Sequence, residues 1–324
     1  MANQTNNFTW PTIDVVIPTY NCAYNLSICL ERIRSQDYKG KLNIYIIDGG
    51  STDSTIEIAA KYDCKTVVMK GLRPFGINGA KMMGEKMGSG DFIWHIDSDN
   101  FLENSSVASK LINAIRTHQE CNLAVPFNTN NLYHTRNQSR FATYLNSFIN
   151  SKEIEGLNKN LQKGLKEGNY FVVKDLDYGL SNCSLVRRRV EEIVGFYDSD
   201  VEMFKRLRER HLNCAVLVPE ARFQQYAIQS FVSYIRKKRS RIRERARMNI
   251  DEEVHYYVYG AKSIQGKYNL NISFFLTLMR RYLKVRKKSE LLFVVALISQ
   301  VLTFVSAPFS VIKLVMRSHR VGSS

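Results

Sequence analysis

The sequence has few cysteines, and they show no paired arrangement. Six cysteines are scattered singly through 324 residues, without a C-x-x-C pair or a histidine at zinc-finger spacing. Isolated thiols usually pack as small hydrophobic side chains, so we expect reduced cysteines and no zinc finger. Reduced thiols are typical of a cytosolic protein.

Two further absences narrow the class of protein. The glycine spacing matches neither G-x-G-x-x-G nor a P-loop, which argues against a dinucleotide-binding fold and against an NTPase. The polar first segment, MANQTNNFTW, lacks the apolar stretch of a signal peptide. We expect residues 1–10 to form a mobile tail.

The charge of the chain is strongly positive and unevenly distributed. The formal net charge is +16, and much of it lies beyond residue 220. Such a charge predicts attraction to nucleic acid, anionic lipid or phosphorylated substrates. No aromatic residue interleaves the arginines of the basic helical run within residues 230–250, so we expect no nucleic-acid partner. A membrane surface or an acceptor phosphate is favoured, and a solvated charged helix is the simpler alternative.

Short apolar runs alternate with helical patterns along the chain. This alternation predicts an α/β fold with a doubly wound, mostly parallel sheet. Ser54 and Glu57 have the spacing of a capping box at the start of the second helix. The predicted strands cover residues 13–18, 42–47, 64–69, 92–96, 123–127 and 214–218. The predicted helices cover residues 25–36, 54–62, 78–87, 105–117, 186–194 and 200–209.

Three polar loops follow predicted strands: Pro-Thr-Tyr-Asn at residues 18–21, Asp-Gly-Gly-Ser-Thr-Asp at 48–53, and Asp-Ser-Asp at 97–99. The carboxyl ends of parallel strands meet at one edge of a sheet, so these loops should face one crevice. Asp97 and Asp99 are two residues apart and can project to the same side of an extended segment. Paired carboxylates suit a hard divalent cation, which can bridge a diphosphate. A single D-x-D motif is weak evidence for a metal site, and the simpler interpretation is a solvated turn.

The order and spacing of IPTYN, DGGSTDST and DSD resemble those of the family 2 glycosyltransferases, which have the GT-A fold. The resemblance covers roughly residues 11–220. It implies a nucleotide-sugar donor, a divalent cation (Mn²⁺ or Mg²⁺) and a hexosyltransferase-like activity. By the same resemblance Pro18, Thr19, Tyr20 and Asp48 hold the nucleotide.

The resemblance also implies roles for the residues nearer the sugar. Asp97, Ser98 and Asp99 would contact the ribose and the metal, with Asp97 and Asp99 as metal ligands. Lys81 takes the place of the arginine in the family's A-R-N element. Asn182 takes the place of the asparagine in its G-x-N segment, which approaches the donor sugar.

Asp200, at the start of a predicted helix, matches the aspartate that deprotonates the acceptor hydroxyl in this family. The resemblance then implies an inverting single displacement. Asp198 and Glu202 are alternative bases, and a helix N-cap is the structural alternative for Asp200. The chain lacks the Q-x-x-R-W motif of processive synthases, so we expect one sugar to be added per acceptor.

Two other functions stay open at this point. A polyprenyl-phosphate sugar synthase needs no base, because its acceptor is already an anion, and the run Arg187–Arg189 would then bind phosphate. The competitor from another class is a non-catalytic membrane or nucleic-acid-binding module. The intact D-x-D motif argues against a decayed site.

The run 291–312 contains no charged residue. Its 22 residues would reach roughly 30 Å as a helix, the thickness of a bilayer core. More basic residues flank its N-terminal end, so we expect membrane association with the catalytic domain on the cytoplasmic side. A transmembrane span, a re-entrant hairpin kinked at Pro308, an interfacial helix and a buried core helix all stay open.

The patterns together divide the chain into five segments. Because we expect the chain to associate with a membrane, we also expect its acceptor to be lipid-linked or part of the membrane. The predicted segments are the tail 1–10, the nucleotide-sugar-binding half 11–128, the acceptor-binding half 129–225, basic amphipathic helices 226–290 and the membrane-associated or transmembrane helix 291–316.

Overall fold

A computed structural model describes residues 9–69, 76–129, 159–176, 183–195 and 200–226. The strands in these ranges are β1 Ile13–Thr19, β2 Leu42–Asp48, β3 Lys65–Val68, β4 Phe92–His95, β5 Asn100–Leu102, β6 Leu123–Asn128, β7 Leu165–Glu167, β8 Tyr170–Val173, β9 Leu185–Arg187 and β10 Ala215–Gln225. The helices are α1 Ala23–Arg34, α2 Thr55–Lys61, α3 Gly76–Met87, α4 Val107–Thr117, α5 Arg188–Val194 and α6 Asp200–Glu209.

The strands of the described residues form one mixed sheet with the order β3-β2-β1-β4-β9-β6-β10-β8-β7, and β5 pairs with β10. The longer ladders are parallel: β1 with β2 and β4, β2 with β3, and β6 with β10. β9 lies antiparallel between β4 and β6. The predicted α/β fold with a mostly parallel sheet is confirmed. Both predicted halves, 11–128 and 129–225, contribute strands to this sheet.

Strand β1 is buried along its whole length, because helices cover both faces of the sheet there. On one face Leu26, Leu30 and Ile33 of α1 recur at helical spacing and pack in one cluster with Ile17. On the other face α3 comes unusually close to the strand. A Cβ added at Gly84 would lie 2.4 Å from Val16 Cγ1, so glycine is needed for this approach.

Two local predictions were wrong in detail. The helix expected from residue 186 begins at Arg188, because Leu185 pairs with strands on both sides and extends the chain there. The second helix does begin after Ser54, but the Ser54 side chain makes no capping hydrogen bond. The carboxylate of Asp53 instead accepts a hydrogen bond from the backbone N–H of Thr55 at 3.1 Å.

None of the helices in the described ranges combines the length and the apolar character needed to cross a bilayer. The basic stretch 226–290 and the segment 291–316 lie outside the described residues, apart from residue 226 itself. Their predicted association with a membrane therefore stays a prediction.

Candidate active site

The three sequence motifs meet at one edge of the sheet. Thr19 and Asp48 are the last residues of β1 and β2, and they are paired in the parallel ladder. β4 is parallel to β1 and ends at His95, two residues before Asp97. The carboxyl ends of three parallel strands thus bring Thr19, Asp48 and Asp97 to the same edge, the position at which such sheets bind ligands.

The carboxylate of Asp48 holds the first two loops together. It is fully buried. One oxygen accepts hydrogen bonds from the backbone N–H groups of Gly50 at 2.9 Å and Ser51 at 2.6 Å. The other accepts from the hydroxyls of Thr19 at 2.8 Å and Ser51 at 2.6 Å. Both oxygens are therefore used inside the protein, and Asp48 sets the shape of the loops.

Asn21 joins the same two loops from the outside. Its backbone N–H donates to the hydroxyl of Ser51 at 2.8 Å, and its side-chain oxygen accepts from the N–H of Thr52 at 2.8 Å. Asn21 has a left-handed backbone with φ +47, which asparagine tolerates better than most residues. The preceding side chain, Tyr20, is 54% exposed and offers an aromatic face at the edge of the site.

The D-x-D segment forms a turn directly after β4. The backbone N–H of Asn100 donates to the carbonyl of Asp97 at 2.8 Å, and that of Tyr226 donates to the carbonyl of Asp99 at 2.6 Å. Asp97, Ser98 and Asp99 are half-buried. The turn is thus anchored to β10, and it presents two carboxylates whose oxygens suit Mn²⁺ or Mg²⁺.

Lys81 lies beside this turn. Its side chain is buried, and its Nζ atom lies 3.6 Å from an Asp97 carboxylate oxygen. The close packing of α3 at Gly84 brings the lysine down to the edge of the sheet. Among the described residues, the site therefore brings the ammonium group of Lys81 close to the carboxylates of the D-x-D segment, a combination that suits a diphosphate with a bound metal.

A buried polar cluster behind the D-x-D segment was not predicted. Glu85, one turn after Lys81 on α3, hydrogen-bonds to His95 at 2.7 Å. Burial alone would lower the pKa of His95, but the hydrogen bond and the charge of Glu85 raise it. Glu191 of α5 lies close by, and its burial together with the charge of Glu85 raises its pKa to about 7. The helical spacing of Lys81 and Glu85 was the available signal for part of this cluster.

The phosphate-binding role considered for Arg187–Arg189 does not fit Arg187 and Arg188, whose guanidinium groups bind the protein itself. Arg187 pairs with Phe92 at the start of β4, the edge of the sheet opposite the D-x-D turn. Its guanidinium donates to the carbonyls of Cys121 at 2.9 Å and Ile115 at 2.7 Å. The guanidinium of Arg188 binds Asp14, near the start of β1, and the carbonyl of Gly90. Arg187 and Arg188 thus fix the backbone at the edge of the sheet opposite the D-x-D turn, whereas Arg189 is exposed and its role in phosphate binding stays a prediction.

The remaining predicted site residues are only partly described. Helix α6 runs from Asp200 to Glu209, the bounds predicted from the sequence. The side chains of Asp200 and Glu202 lie outside the description, as do all atoms of Asn182 and Asp198. Pro18 lies inside β1, one residue before Thr19, and it is fully buried. Its predicted contact with the nucleotide stays a prediction.

Comparison with known proteins gives a consistent family. The sequence model of the family described as Glycosyl transferase family 2 matches residues 14–175. An N-acetylglucosaminyltransferase of Mesorhizobium japonicum is 37% identical over 98 residues, which are 29% of this chain and 23% of that protein. An N-acetylglucosaminyltransferase of Rhizobium sp. strain N33 is 37% identical over 107 residues, 32% of this chain and 24% of that protein. The chain thus spans about a quarter of the length of these relatives.

Solved structures share the fold at low sequence identity. The crystal structure of S. aureus TarS 1–349 superimposes with a TM-score of 0.52 at 17% identity, covering 80% of this chain and 76% of that chain. The complex of the same protein with UDP gives a TM-score of 0.51, also at 17% identity, with the same shares covered. The mixed sheet described above is therefore a known architecture.

Proposed function

The chain belongs to glycosyl transferase family 2, and we propose that it moves one sugar from a nucleotide-sugar donor to a lipid-linked or membrane acceptor, with inversion and with the assistance of a metal ion. The observation that carries the proposal is the meeting of three loops at one sheet edge. Thr19 and Asp48 hold the first two loops together, and Asp97 begins the third.

The donor would lie across these loops. The exposed ring of Tyr20 suits stacking on the nucleotide base, because every base has an aromatic face. Asp48 supports this surface from below through its four hydrogen bonds. Lys81 adds a positive charge where a diphosphate would lie beside Asp97. These residues bind and orient the donor, which is the main contribution of proximity to catalysis.

Asp97 and Asp99 would hold the divalent cation. When bound there, the cation supplies compensation for the charge that develops on the departing diphosphate. Asp99 is the proposed main ligand, as the family resemblance implies, and Asp97 lies 3.6 Å from the ammonium group of Lys81. Lys81 supports the same charge from the protein side.

Asp200 is the proposed base. Its place at the first residue of α6 suits a carboxylate, because the helix N-terminus favours negative charge. In the proposed step the acceptor hydroxyl gives its proton to Asp200 while its oxygen bonds to the anomeric carbon. The bond between that carbon and the diphosphate oxygen breaks, and the nucleoside diphosphate leaves with the electron pair.

N-acetylglucosamine is the sugar we propose for the donor. Its support is the 37% identity to two N-acetylglucosaminyltransferases, over 98 and 107 residues of this chain. A lipid-linked acceptor and a cytoplasmic-side membrane location are supported by the uncharged run 291–312 and the basic residues before it.

The test is a screen of nucleotide sugars for release of the nucleoside diphosphate by the full chain with Mn²⁺ or Mg²⁺. We expect turnover of a nucleotide-activated N-acetylglucosamine that stops in excess chelator and in Asp99→Ala. Glu209→Ala is the matched control, because this exposed carboxylate ends α6. Full turnover in chelator would contradict the metal, and turnover of other sugars alone would contradict the donor.

A further inference from the structure

Two cysteines far from the candidate active site lie unusually close together. All six cysteines are free in this structure, but the sulfur atoms of Cys121 and Cys214 are only 2.8 Å apart. Non-bonded carbon atoms pack at about 3.5–4.0 Å, and bonded sulfur atoms lie about 2.05 Å apart. This pair is closer than ordinary packing and needs only a small movement to form a bond.

The backbone on both sides of the pair is fixed by hydrogen bonds. Cys121 precedes β6 and Cys214 precedes β10, which are parallel neighbours with Leu123 opposite Ala215. The backbone N–H of Asn122 donates to the carbonyl of Cys214 at 2.9 Å. Its side-chain amide donates to the carbonyl of Leu212 at 3.0 Å. Neighbouring strands lie about 4.7–4.9 Å apart, within the Cα separations that disulfides span.

A charged side chain also anchors the segment before β6. The guanidinium of Arg187 donates to the carbonyl of Cys121 at 2.9 Å. The backbone of Cys121 is thus held by a residue of β9, and that of Cys214 by a residue next to β6. Both thiols are presented by fixed segments, so little conformational freedom would be lost on linking them.

The two thiols differ in access and in acidity. Cys121 is fully buried, whereas Cys214 is half-buried and is therefore the more accessible of the two. The hydrogen bond from Cys121 lowers the pKa of the Cys214 thiol, and nearby Lys174 acts in the same direction. Cys214 is therefore suited to attack first, and Cys121 is placed to attack second.

We propose that Cys121 and Cys214 form a reversible disulfide when the protein meets a small disulfide such as glutathione disulfide. The Cys214 thiolate attacks one glutathione sulfur, which forms a mixed disulfide and releases a glutathione thiolate. That thiolate takes the proton of Cys121, whose sulfur then attacks Cys214 Sγ and displaces the second glutathione. The two cysteines together lose two electrons, and these electrons reduce one glutathione disulfide to two thiols.

The bond would form at the edge of the sheet opposite the donor crevice. Cys121 and Cys214 precede the starts of β6 and β10, and β6 runs in the same direction as β4 because β9 is antiparallel to both. The link would join residues 93 positions apart. Closing so long a loop restricts the unfolded chain, so the oxidised protein should melt at a higher temperature. Donor binding should not change, because the donor loops lie at the other edge.

The experiment uses the full chain, incubated with glutathione disulfide and then alkylated. We expect the number of free thiols to fall from six to four, with the loss of two hydrogen masses and no retained glutathione. Peptide mapping should join Cys121 to Cys214, and dithiothreitol should restore all six thiols and the original melting temperature. Cys64→Ser is the matched control, because it removes a half-buried thiol elsewhere and should still lose two thiols.

Four outcomes would overturn the proposal. The first is an unchanged thiol count in the wild-type protein. The second is glutathione that stays attached to Cys214 without a cross-link. The third is loss of two thiols by internal linkage in Cys214→Ser, a change at the half-buried position that leaves the core thiol in place. If Cys121→Ser folds, it should keep glutathione on Cys214, and an internal cross-link in it would also contradict the pairing.

Discussion

Replacing Asp48 by asparagine tests whether this residue builds the donor site by shaping its loops. The substitution keeps the size of the side chain and removes its charge. The amide oxygen should take the position that accepts from the N–H groups of Gly50 and Ser51, since an NH₂ group there would face two donors. The NH₂ group then faces the hydroxyls of Thr19 and Ser51, which must turn their lone pairs toward it.

The expected loss follows from the four hydrogen bonds. A hydrogen bond to a charged group contributes about 1.5–3 kcal/mol, and one between neutral groups about 0.5–1.5 kcal/mol. Each bond is then weakened by about 1–1.5 kcal/mol, so the four together give a loss of about 4–6 kcal/mol in the free energy of unfolding for Asp48→Asn. Asp48→Ala should lose at least as much, because the part-buried N–H groups of Gly50 and Ser51 would lose their acceptor altogether.

Urea unfolding of the full chain measures this loss, and calorimetry measures donor affinity. The control is Asp63→Asn, an exposed position with φ +51 that asparagine adopts readily, and its stability should change by less than about 0.5 kcal/mol. Both Asp48 variants should also bind donor more weakly than the control. A wild-type unfolding midpoint and slope for Asp48→Asn would refute the reasoning.

Three other expectations concern single carboxylates. Asp99→Ala should abolish metal-dependent turnover at the Mn²⁺ concentration that the wild type needs, because it removes the proposed main ligand, and wild-type turnover with an unchanged Mn²⁺ requirement would contradict that role. Asp200→Asn should slow transfer by about a hundredfold or more while donor affinity is kept, the scale expected when a general base is lost. A wild-type transfer rate would show that another group takes the proton. Glu191 has a folded-state pKa raised to about 7, so its ionisation in the folded protein costs stability. Wild-type stability should therefore fall between about pH 5 and pH 8 more steeply than that of Glu191→Gln, as measured by urea midpoints. The exposed neighbour Glu192 provides the control Glu192→Gln, which should follow the wild type.

The parts of the fold that the sequence predicts well are those with strong local signals. β1, β2 and β4 are apolar runs followed closely by a polar loop, and their predicted bounds differ from the observed ones by one residue. Helix α6 begins and ends where its pattern predicts. Burial on both faces of a strand demands an uninterrupted apolar run, so the signal lies within a few consecutive residues.

β9 has no such signal. Its three residues extend because Leu185 pairs with Trp94 of β4 and with Ala124 of β6, partners distant in sequence. Read locally, the segment favours a helix, and the pairing overrides that preference. The same contacts explain the error over the neighbouring arginines. Arg187 ends this strand and Arg188 follows it, and both side chains bind backbone carbonyls. A run of arginines in a sequence, by contrast, suggests a surface that binds phosphate.

The sequence indicates which residues lie at the site, but it does not show what each of them contacts. Asp48 was expected to hold the nucleotide. In the structure both of its oxygens accept hydrogen bonds from the protein, namely from the loop that follows β2 and from Thr19 at the end of β1. Glu85 and His95 were not expected at all. A single sequence places them on α3 and β4, but it does not show that the two elements pack with these side chains facing each other.

In the cluster of Glu85 and His95, Glu85 lies on the same helix as Lys81, and His95 ends the strand that leads into the D-x-D turn. Glu85 is held by His95, and Lys81 lies one helical turn earlier and reaches Asp97 at 3.6 Å. At an effective dielectric constant near 20, this attraction is about 4–5 kcal/mol before desolvation is counted. A cation shared equally between the two aspartates would have to approach the ammonium group of Lys81. In the proposed mechanism Asp99 would therefore be the main metal ligand, and Lys81 with Asp97 would orient the diphosphate beside it.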